Sequence, residues 1–114
     1  FMYVDDLAEA SIFALEKWNP DGKNAPLDNN GNPLLFLNVG TGKDLSIKEL
    51  AKKISEITKF NGQILWDKSK PDGTPRKLLN TDKLTSLGWR NKIGLTEGIK
   101  NAISVFEMNN CFEN

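Results

Sequence analysis

The chain has 114 residues, and its 15 lysine and arginine side chains balance its 15 aspartate and glutamate side chains. This length predicts one compact domain, and the zero net charge gives no reason to expect nucleic acid or an anionic membrane as a partner. Histidine is absent and Cys111 is the only cysteine, which argues against a metal site and an internal disulfide. No apolar run reaches the roughly 18 residues of a membrane span. We therefore expect a cytoplasmic protein.

The chain opens with two predicted elements, a short strand and a helix. The strand is FMYV at residues 1–4, and the helix is DDLAEASIFALEKW, whose apolar residues recur at helical spacing. Asp6 and Glu9 stand at the spacing of a capping box. An apolar first residue other than methionine also favours a fragment of a longer protein. Residues 19–33 are rich in Asn, Asp, Gly and Pro, which predicts a surface loop that is mobile.

The middle of the chain predicts a strand, a helix and a second strand. The continuous apolar run LLFLNVG, residues 34–40, is typical of a parallel strand buried on both faces. Ser46 and Glu49 then form a second capping box at the start of an amphipathic helix, which Asn61-Gly62 should end. Residues 63–66 read as a short strand.

Two more helices are predicted near the end of the chain. The first covers residues 81–87, with Asn80 or Thr81 as its cap and Gly88 after its last turn. The second starts at Leu95 and runs to about residue 108. The whole pattern predicts a single α/β unit over residues 1–114, with a small parallel or mixed sheet and about four helices.

The turn GTGK at residues 40–43 raises the possibility of a phosphate-binding loop. A P-loop needs a glycine where Leu37 stands and a Ser or Thr where Asp44 stands, and a dinucleotide fingerprint needs Gly or Ala where Leu45 stands. A tight turn without phosphate is therefore favoured.

Several other residues invite catalytic interpretations that have simpler alternatives. Asp5 and Asp6 could be a catalytic carboxylate pair, but acidic residues also stabilise the first turn of a helix. Tyr3 lies in an apolar stretch and is expected to pack, and Cys111 has no neighbouring base to activate it. If the chain belongs to an enzyme, we expect most of the chemistry to lie elsewhere.

The stretch KPDGTPRKLL, residues 70–79, is the strongest candidate for a binding loop. Its two prolines fix φ and its glycine frees it, so the loop can be stiff and sharply bent. Arg76 and Lys77 suit phosphate oxygens, and Asp72 can accept hydrogen bonds from hydroxyl or N–H groups. A pyrophosphate flanked by sugar hydroxyls or a base fits these groups. An ordinary surface loop has a similar composition, so the residues alone leave both readings open.

Four stretches, FMYVDDLA, LNVGTG, SIKELA and KPDGTPRKLL, occur in an order that resembles the C-terminal substrate-binding part of the GDP-L-fucose synthase family. These enzymes are extended short-chain dehydrogenase/reductases. The resemblance covers nearly the whole chain, and KPDGTPRKLL is its most specific part. It implies an enzyme that epimerises C3 and C5 of GDP-4-keto-6-deoxymannose and reduces the C4 ketone with NADPH.

The same resemblance implies which parts of such an enzyme this chain would contain. The substrate-binding Asp and Lys of the family fall on Asp72 and Lys77, with Arg76 as a neighbour that assists with phosphate charge. The NADP(H) site and the catalytic residues would belong to a Rossmann half that precedes Phe1, so the fragment would be inactive alone. Its uncovered apolar faces would favour self-association. The family commonly has Asp where Asn80 stands, so a ligand role for Asn80 is left open.

Two alternatives remain at this stage. The chain could be the C-terminal part of another nucleotide-sugar epimerase or dehydratase, with a different base or sugar. It could also be a free-standing binding module without an enzymatic parent.

Overall fold

Four helices and the segments between them make up the computed structural model, which describes residues 1–110. The helices are α1 (Val4–Lys17), α2 (Ile47–Thr58), α3 (Asp82–Ser86) and α4 (Leu95–Asn110). All four correspond to helices that the sequence predicts. Across the described residues none is long and apolar enough to cross a membrane.

The start of α1 differs from the prediction. The helix begins at Val4, with Tyr3 in the N-cap position and without a side-chain cap, so residues 1–4 are not a strand. The predicted capping box of Asp6 and Glu9 is also wrong. The Asp6 side chain is 2% exposed and turns instead to the backbone just before α4.

Asp6 joins α1 to the segment that leads into α4. Its two carboxylate oxygens accept hydrogen bonds from the backbone N–H groups of Lys92 and Ile93, each at 3.0 Å. A buried carboxylate is costly unless its oxygens find donors, and here both of them do. We call this arrangement the Asp6 clamp. Lys92 also forms an ion pair with Glu9 at the edge of the clamp.

The start of α2 is the one the sequence predicts. The Ser46 hydroxyl accepts a hydrogen bond from the Glu49 N–H at 3.1 Å, and the Glu49 carboxylate accepts one from the Ser46 N–H at 2.7 Å. The Ser46 hydroxyl also donates to this carboxylate, at 2.9 Å. The bonds that the Ser46 N–H and hydroxyl donate lower the pKa of Glu49, and the bond from the N–H lowers it most. The helix ends at Lys59, which takes the left-handed conformation at φ 54°, slightly before the predicted stop. α2 packs against α4.

α3 is also capped close to the predicted position. The Asn80 side-chain oxygen accepts a hydrogen bond from the Asp82 N–H at 2.8 Å, while Thr81 occupies the N-cap position without a side-chain bond. Gly88 follows the helix with φ 106°, a conformation that few residues besides glycine adopt at low cost.

The predicted sheet is absent from residues 1–110. Residues 34–40 and 63–66 form neither helix nor strand, and only an isolated antiparallel bridge joins Leu27 to Pro33. The physical reason is that an apolar run indicates only which side chains favour burial. A strand also needs a neighbouring strand that forms hydrogen bonds with its backbone N–H and C=O groups. In the described part of the chain these segments form no ladder of backbone hydrogen bonds with a neighbouring strand.

The loop at residues 19–33 contains a local turn. The Asp28 carboxylate accepts hydrogen bonds from the N–H groups of Asn30 and Asn32, both at 2.8 Å, and these bonds lower its pKa, with the bond from Asn32 contributing most. Asx turns of this kind are common where Asn and Asp cluster. Mobility of the loop remains a prediction.

The apolar core is small for the length of the chain. Ala10, Leu84 and Trp89 are its buried members, contributed by α1, by α3 and by the residue that follows Gly88. The radius of gyration is 18.5 Å, whereas a compact domain of this size has one of about 13 Å. The predicted compact unit is therefore not what the structure shows. Large apolar side chains stay exposed, among them Leu15, Leu35 and Leu65.

Candidate functional site

The predicted binding loop, residues 70–77, runs along the surface without helix or strand, and each of its residues is exposed. A turn precedes it, in which the Asp67 carboxylate accepts hydrogen bonds from the Ser69 hydroxyl at 2.6 Å and from the Ser69 N–H at 2.9 Å. These bonds lower the pKa of Asp67, with the side-chain bond contributing most. Asp67 is thus ionised at neutral pH and fixes the chain direction at the loop entrance.

An ion pair ties the end of the loop to the turn before α2. The Arg76 Nε lies 3.2 Å from the Asp44 Oδ2. The two residues are 32 positions apart, and the sequence gives no sign that they pair. Asp44 neutralises the guanidinium that the sequence assigned to phosphate charge, so Arg76 is engaged before any ligand arrives.

Lys77 lies next to a cleft. The cleft has a volume of about 130 Å³ and is lined by the GTGK turn, by the residues that follow the loop and by the start of the chain; its lining includes Phe1, Thr41, Lys43, Lys77 and Leu79. In the described residues Lys77 forms no ion pair. The structure therefore brings the predicted binding lysine beside the glycine-rich turn, a juxtaposition the sequence did not predict.

Asp72 stands apart from this cleft. It is exposed, it lines none of the clefts described here, and within residues 1–110 it neither accepts a hydrogen bond nor forms an ion pair. Of the three predicted binding residues, the structure thus places Lys77 at the cleft, Arg76 in an ion pair beside the turn, and Asp72 free on the loop.

The end of the loop is anchored by asparagines. Asn38 donates a side-chain hydrogen bond to the backbone carbonyl of Asn80 at 3.2 Å, and the Asn80 side chain in turn caps α3. The departure from the family pattern at Asn80 therefore preserves a structural contact. Asn38 was not predicted to take part, because its partner is 42 positions away and no local pattern links them.

The helix start that follows the GTGK turn does not fit the phosphates of a dinucleotide cofactor. α2 begins at Ile47, four residues beyond the turn, and the Glu49 carboxylate already accepts from the N–H of Ser46, the residue that caps the helix. A phosphate at this helix start would meet that negative charge in place of free donors.

A larger, apolar cavity lies between the start of the chain, α2 and α4. It has a volume of about 430 Å³ and is lined by residues that include Val4, Leu50, Ile54, Ile99 and Ala102. Among residues 1–110 no charged side chain lines it, and the Tyr3 side chain is the polar one that does.

The remaining catalytic interpretations have structural explanations or stay untested. Asp6 serves the clamp described above, so Asp5 and Asp6 do not form a carboxylate pair facing one site. Tyr3 packs beside Gly98, where an added Cβ would lie 3.2 Å from the Tyr3 ring. Among residues 1–110 no three metal-ligating side chains gather at one point. Cys111 lies outside the described residues.

Comparison with curated proteins finds close similarity over nearly the whole chain. GDP-L-fucose synthase 1 of Arabidopsis thaliana is 38% identical over 97% of this chain and 30% of its own length. GDP-L-fucose synthase of Escherichia coli (strain K12) is 42% identical over 93% of this chain and 32% of its own length. No protein-family model matches.

Solved structures give the same result. A GDP-6-OMe-4-keto-L-xylo-heptose reductase from C. jejuni superposes with a TM-score of 0.73 at 34% identity, over 92% of this chain and 29% of that one. GDP-mannoheptose C4 reductase from Campylobacter jejuni with NADP bound gives a TM-score of 0.69 at 34% identity, over 90% of this chain and 29% of that one.

These matches confirm the resemblance that the four sequence stretches indicated. The chain spans about three-tenths of the length of the relatives it matches. The chain is homologous, over nearly all of its residues, to one part of the GDP-L-fucose synthases and of related GDP-sugar reductases.

Proposed function

We propose that this chain supplies the GDP-sugar-binding part of a GDP-L-fucose synthase. The carrying observation is its similarity, at 36% to 42% identity, to several enzymes of that name. The intact enzyme would epimerise C3 and C5 of GDP-4-keto-6-deoxymannose and reduce the C4 ketone with NADPH. The share of those enzymes that this chain spans supports assigning the cofactor and the catalytic residues to another part.

Within this function, the cleft and the loop would bind different parts of the ligand. Lys77 lines the cleft without an ion-pair partner in the described residues, so its ammonium is available to a diphosphate oxygen. Asp72 is exposed on the loop and would accept hydrogen bonds from sugar hydroxyls or from the base. Arg76 would assist with phosphate charge only after it leaves Asp44.

The partner of this part would be a Rossmann half that carries NADP(H). Several large apolar side chains are exposed, among them Leu35, Phe36 and Leu65. Because large exposed apolar surfaces usually mark interfaces, these side chains support a partner that covers them in the intact enzyme. Without such a partner the same surface would favour self-association of the chain. A sedimentation profile of a strict monomer would count against that association.

The test is a calorimetric titration of the full chain with GDP and with UDP. We expect saturable binding that favours GDP. Lys77→Ala should weaken GDP binding by about tenfold or more, because a charge-assisted hydrogen bond contributes about 1.5–3 kcal/mol and each 1.4 kcal/mol is a factor of ten. Asp72→Ala should weaken it less, since the residue meets neutral donors.

Lys48→Ala is the matched control, because Lys48 is an exposed lysine on α2 that does not line the cleft. It should leave GDP binding unchanged. Equal affinity for GDP and UDP would favour another nucleotide-sugar enzyme. Binding that is indifferent to both Lys77→Ala and Asp72→Ala would remove the loop from the proposed site.

A further inference from the structure

Lys43 lines the same cleft as Lys77, and the interpretation of GTGK that the sequence favours, a tight turn, gives it no role. We propose that Lys43 and Lys77 together form a site for one phosphate group of a diphosphate ligand. Lys43 then provides the second positive charge that the sequence assigned to Arg76. This inference deepens the proposed function and rests on it for the identity of the ligand, although the phosphate chemistry can be tested without the nucleotide.

The charges around the cleft carry the first step of the argument. Lys43 and Lys77 are the only charged side chains among the residues that line it, in the described part of the chain. Asp44, the nearest acid along the chain, does not line the cleft and is paired with Arg76. Two lysines thus line a common space whose lining contains no carboxylate, and the repulsion between two cations falls when an anion lies between them.

The second step concerns the backbone of the GTGK turn, which ends at Lys43. Gly42 has φ 66°, and an added Cβ would lie 3.3 Å from the Thr81 hydroxyl, so this position favours glycine on both counts. Turns that contain a left-handed residue expose successive N–H groups on one side, and such concavities bind anions. Within residues 1–110 the N–H groups of residues 40–42 donate to no other group of the chain.

The third step is size. Sites for drug-sized ligands have volumes of about 300–1,000 Å³, whereas this cleft has about 130 Å³. The cleft is therefore small for a whole nucleotide sugar, and a single phosphate group is the part of such a ligand that we place in it. Its lining also includes the apolar side chains of Phe1 and Met2.

The experiment measures binding of inorganic pyrophosphate and of GDP to the full chain by calorimetry, with guanosine as the uncharged counterpart. Variants are Lys43→Ala and Lys43→Arg, with Lys100→Ala as the matched control, because Lys100 is an exposed lysine on α4 away from the cleft lining. We expect Lys43→Ala to weaken pyrophosphate and GDP by about tenfold. Lys43→Arg should restore part of the loss, and Lys100→Ala should change nothing.

A second readout reports on the lysine directly. Reductive methylation of surface lysines, followed by mass spectrometry, should show Lys43 and Lys77 protected by pyrophosphate while Lys100 reacts at its unliganded rate. This measurement needs no substitution and is therefore independent of any effect of Lys43→Ala on folding.

The outcomes separate this inference from the proposed function. Pyrophosphate binding that depends on Lys43, without preference for GDP over UDP, would support the phosphate site and count against a GDP-specific enzyme. GDP-selective binding that Lys77→Ala abolishes and Lys43→Ala leaves intact would overturn the role of Lys43 and keep the proposed function. Absence of pyrophosphate binding and of methylation protection would overturn the phosphate site itself.

Discussion

The helices and the long exposed segment between α2 and α3 satisfy their backbones in different ways. Each helix bonds its own N–H and C=O groups, and α1, α3 and the start of α4 are joined by the small core and by the Asp6 clamp. Residues 61–80 instead form no helix or strand, and every one of them is exposed. The difference shows that this chain contains a self-supporting helical frame and a segment whose extended pattern depends on neighbours.

The largest expected effect is a contrast between two leucines. Leu84 is 1% exposed in the core of the helical frame, whereas Leu35 is 80% exposed. Leu84→Ala should lower the free energy of unfolding by about 3 kcal/mol, because it removes buried methyl groups and leaves a cavity. Leu35→Ala should change it by no more than about 0.5 kcal/mol. Urea unfolding measures both, and equal effects would contradict the division into two regions.

The next effect distinguishes the two adjacent acids of α1. Asp6→Ala should lower the free energy of unfolding by about 2 kcal/mol, since it leaves the N–H groups of Lys92 and Ile93 without acceptors. Asp5→Ala is the control, because Asp5 is exposed and lies in the same helical turn. Hydrogen exchange of the Lys92 and Ile93 amides should rise in the first variant only. Unchanged exchange there would show that the clamp is not formed in solution.

The smallest effect is a pH dependence at the start of α2. Hydrogen bonds from Ser46 lower the pKa of Glu49 from its usual 4.5, so the ionised form is favoured in the folded chain. The stabilisation is present above pH 4.5 and is lost as the pH falls through the lowered value. The NMR shift of the Ser46 amide should report this titration, with a midpoint below 4.5.

Glu49→Gln provides the control for this titration. Glutamine can keep the capping box without ionising, so the Ser46 amide should lose its acid transition. Asp28 and Asp67 also have lowered pKa values, so a site-specific signal is needed in place of overall helicity. A Ser46 midpoint at or above 4.5 in the original chain would contradict the capping geometry.

The sequence predicted the helices better than it predicted the segments that lack helix and strand. The capping box of Ser46 and Glu49 and the glycine after α3 depend on residues a few positions apart, and both predictions are confirmed. Predictions failed where an element depends on distant partners. The apolar run at residues 34–40 predicts that these residues are buried, but its pattern does not indicate which segment should pair with it.

The candidate site was predictable to the same extent. KPDGTPRKLL singled out Asp72, Arg76 and Lys77 as candidates because its composition is unusual within ten residues. The engagement of Arg76 by Asp44 and the approach of Lys43 to the same cleft join segments 32 or more positions apart. Neither contact could be predicted from sequence periodicity or composition. Which surface charges come together depends on the three-dimensional structure, and the residues adjacent in sequence do not determine it.

The Asp6 clamp has a consequence for the order in which the chain folds. Its hydrogen bonds span 86 and 87 positions, whereas the capping box of α2 spans three. A contact that closes so long a loop carries a larger entropic cost than a local one and cannot form until both ends of the chain have met. We therefore expect the clamp to close late and to act mainly by slowing unfolding, and we expect α2 to begin to form early.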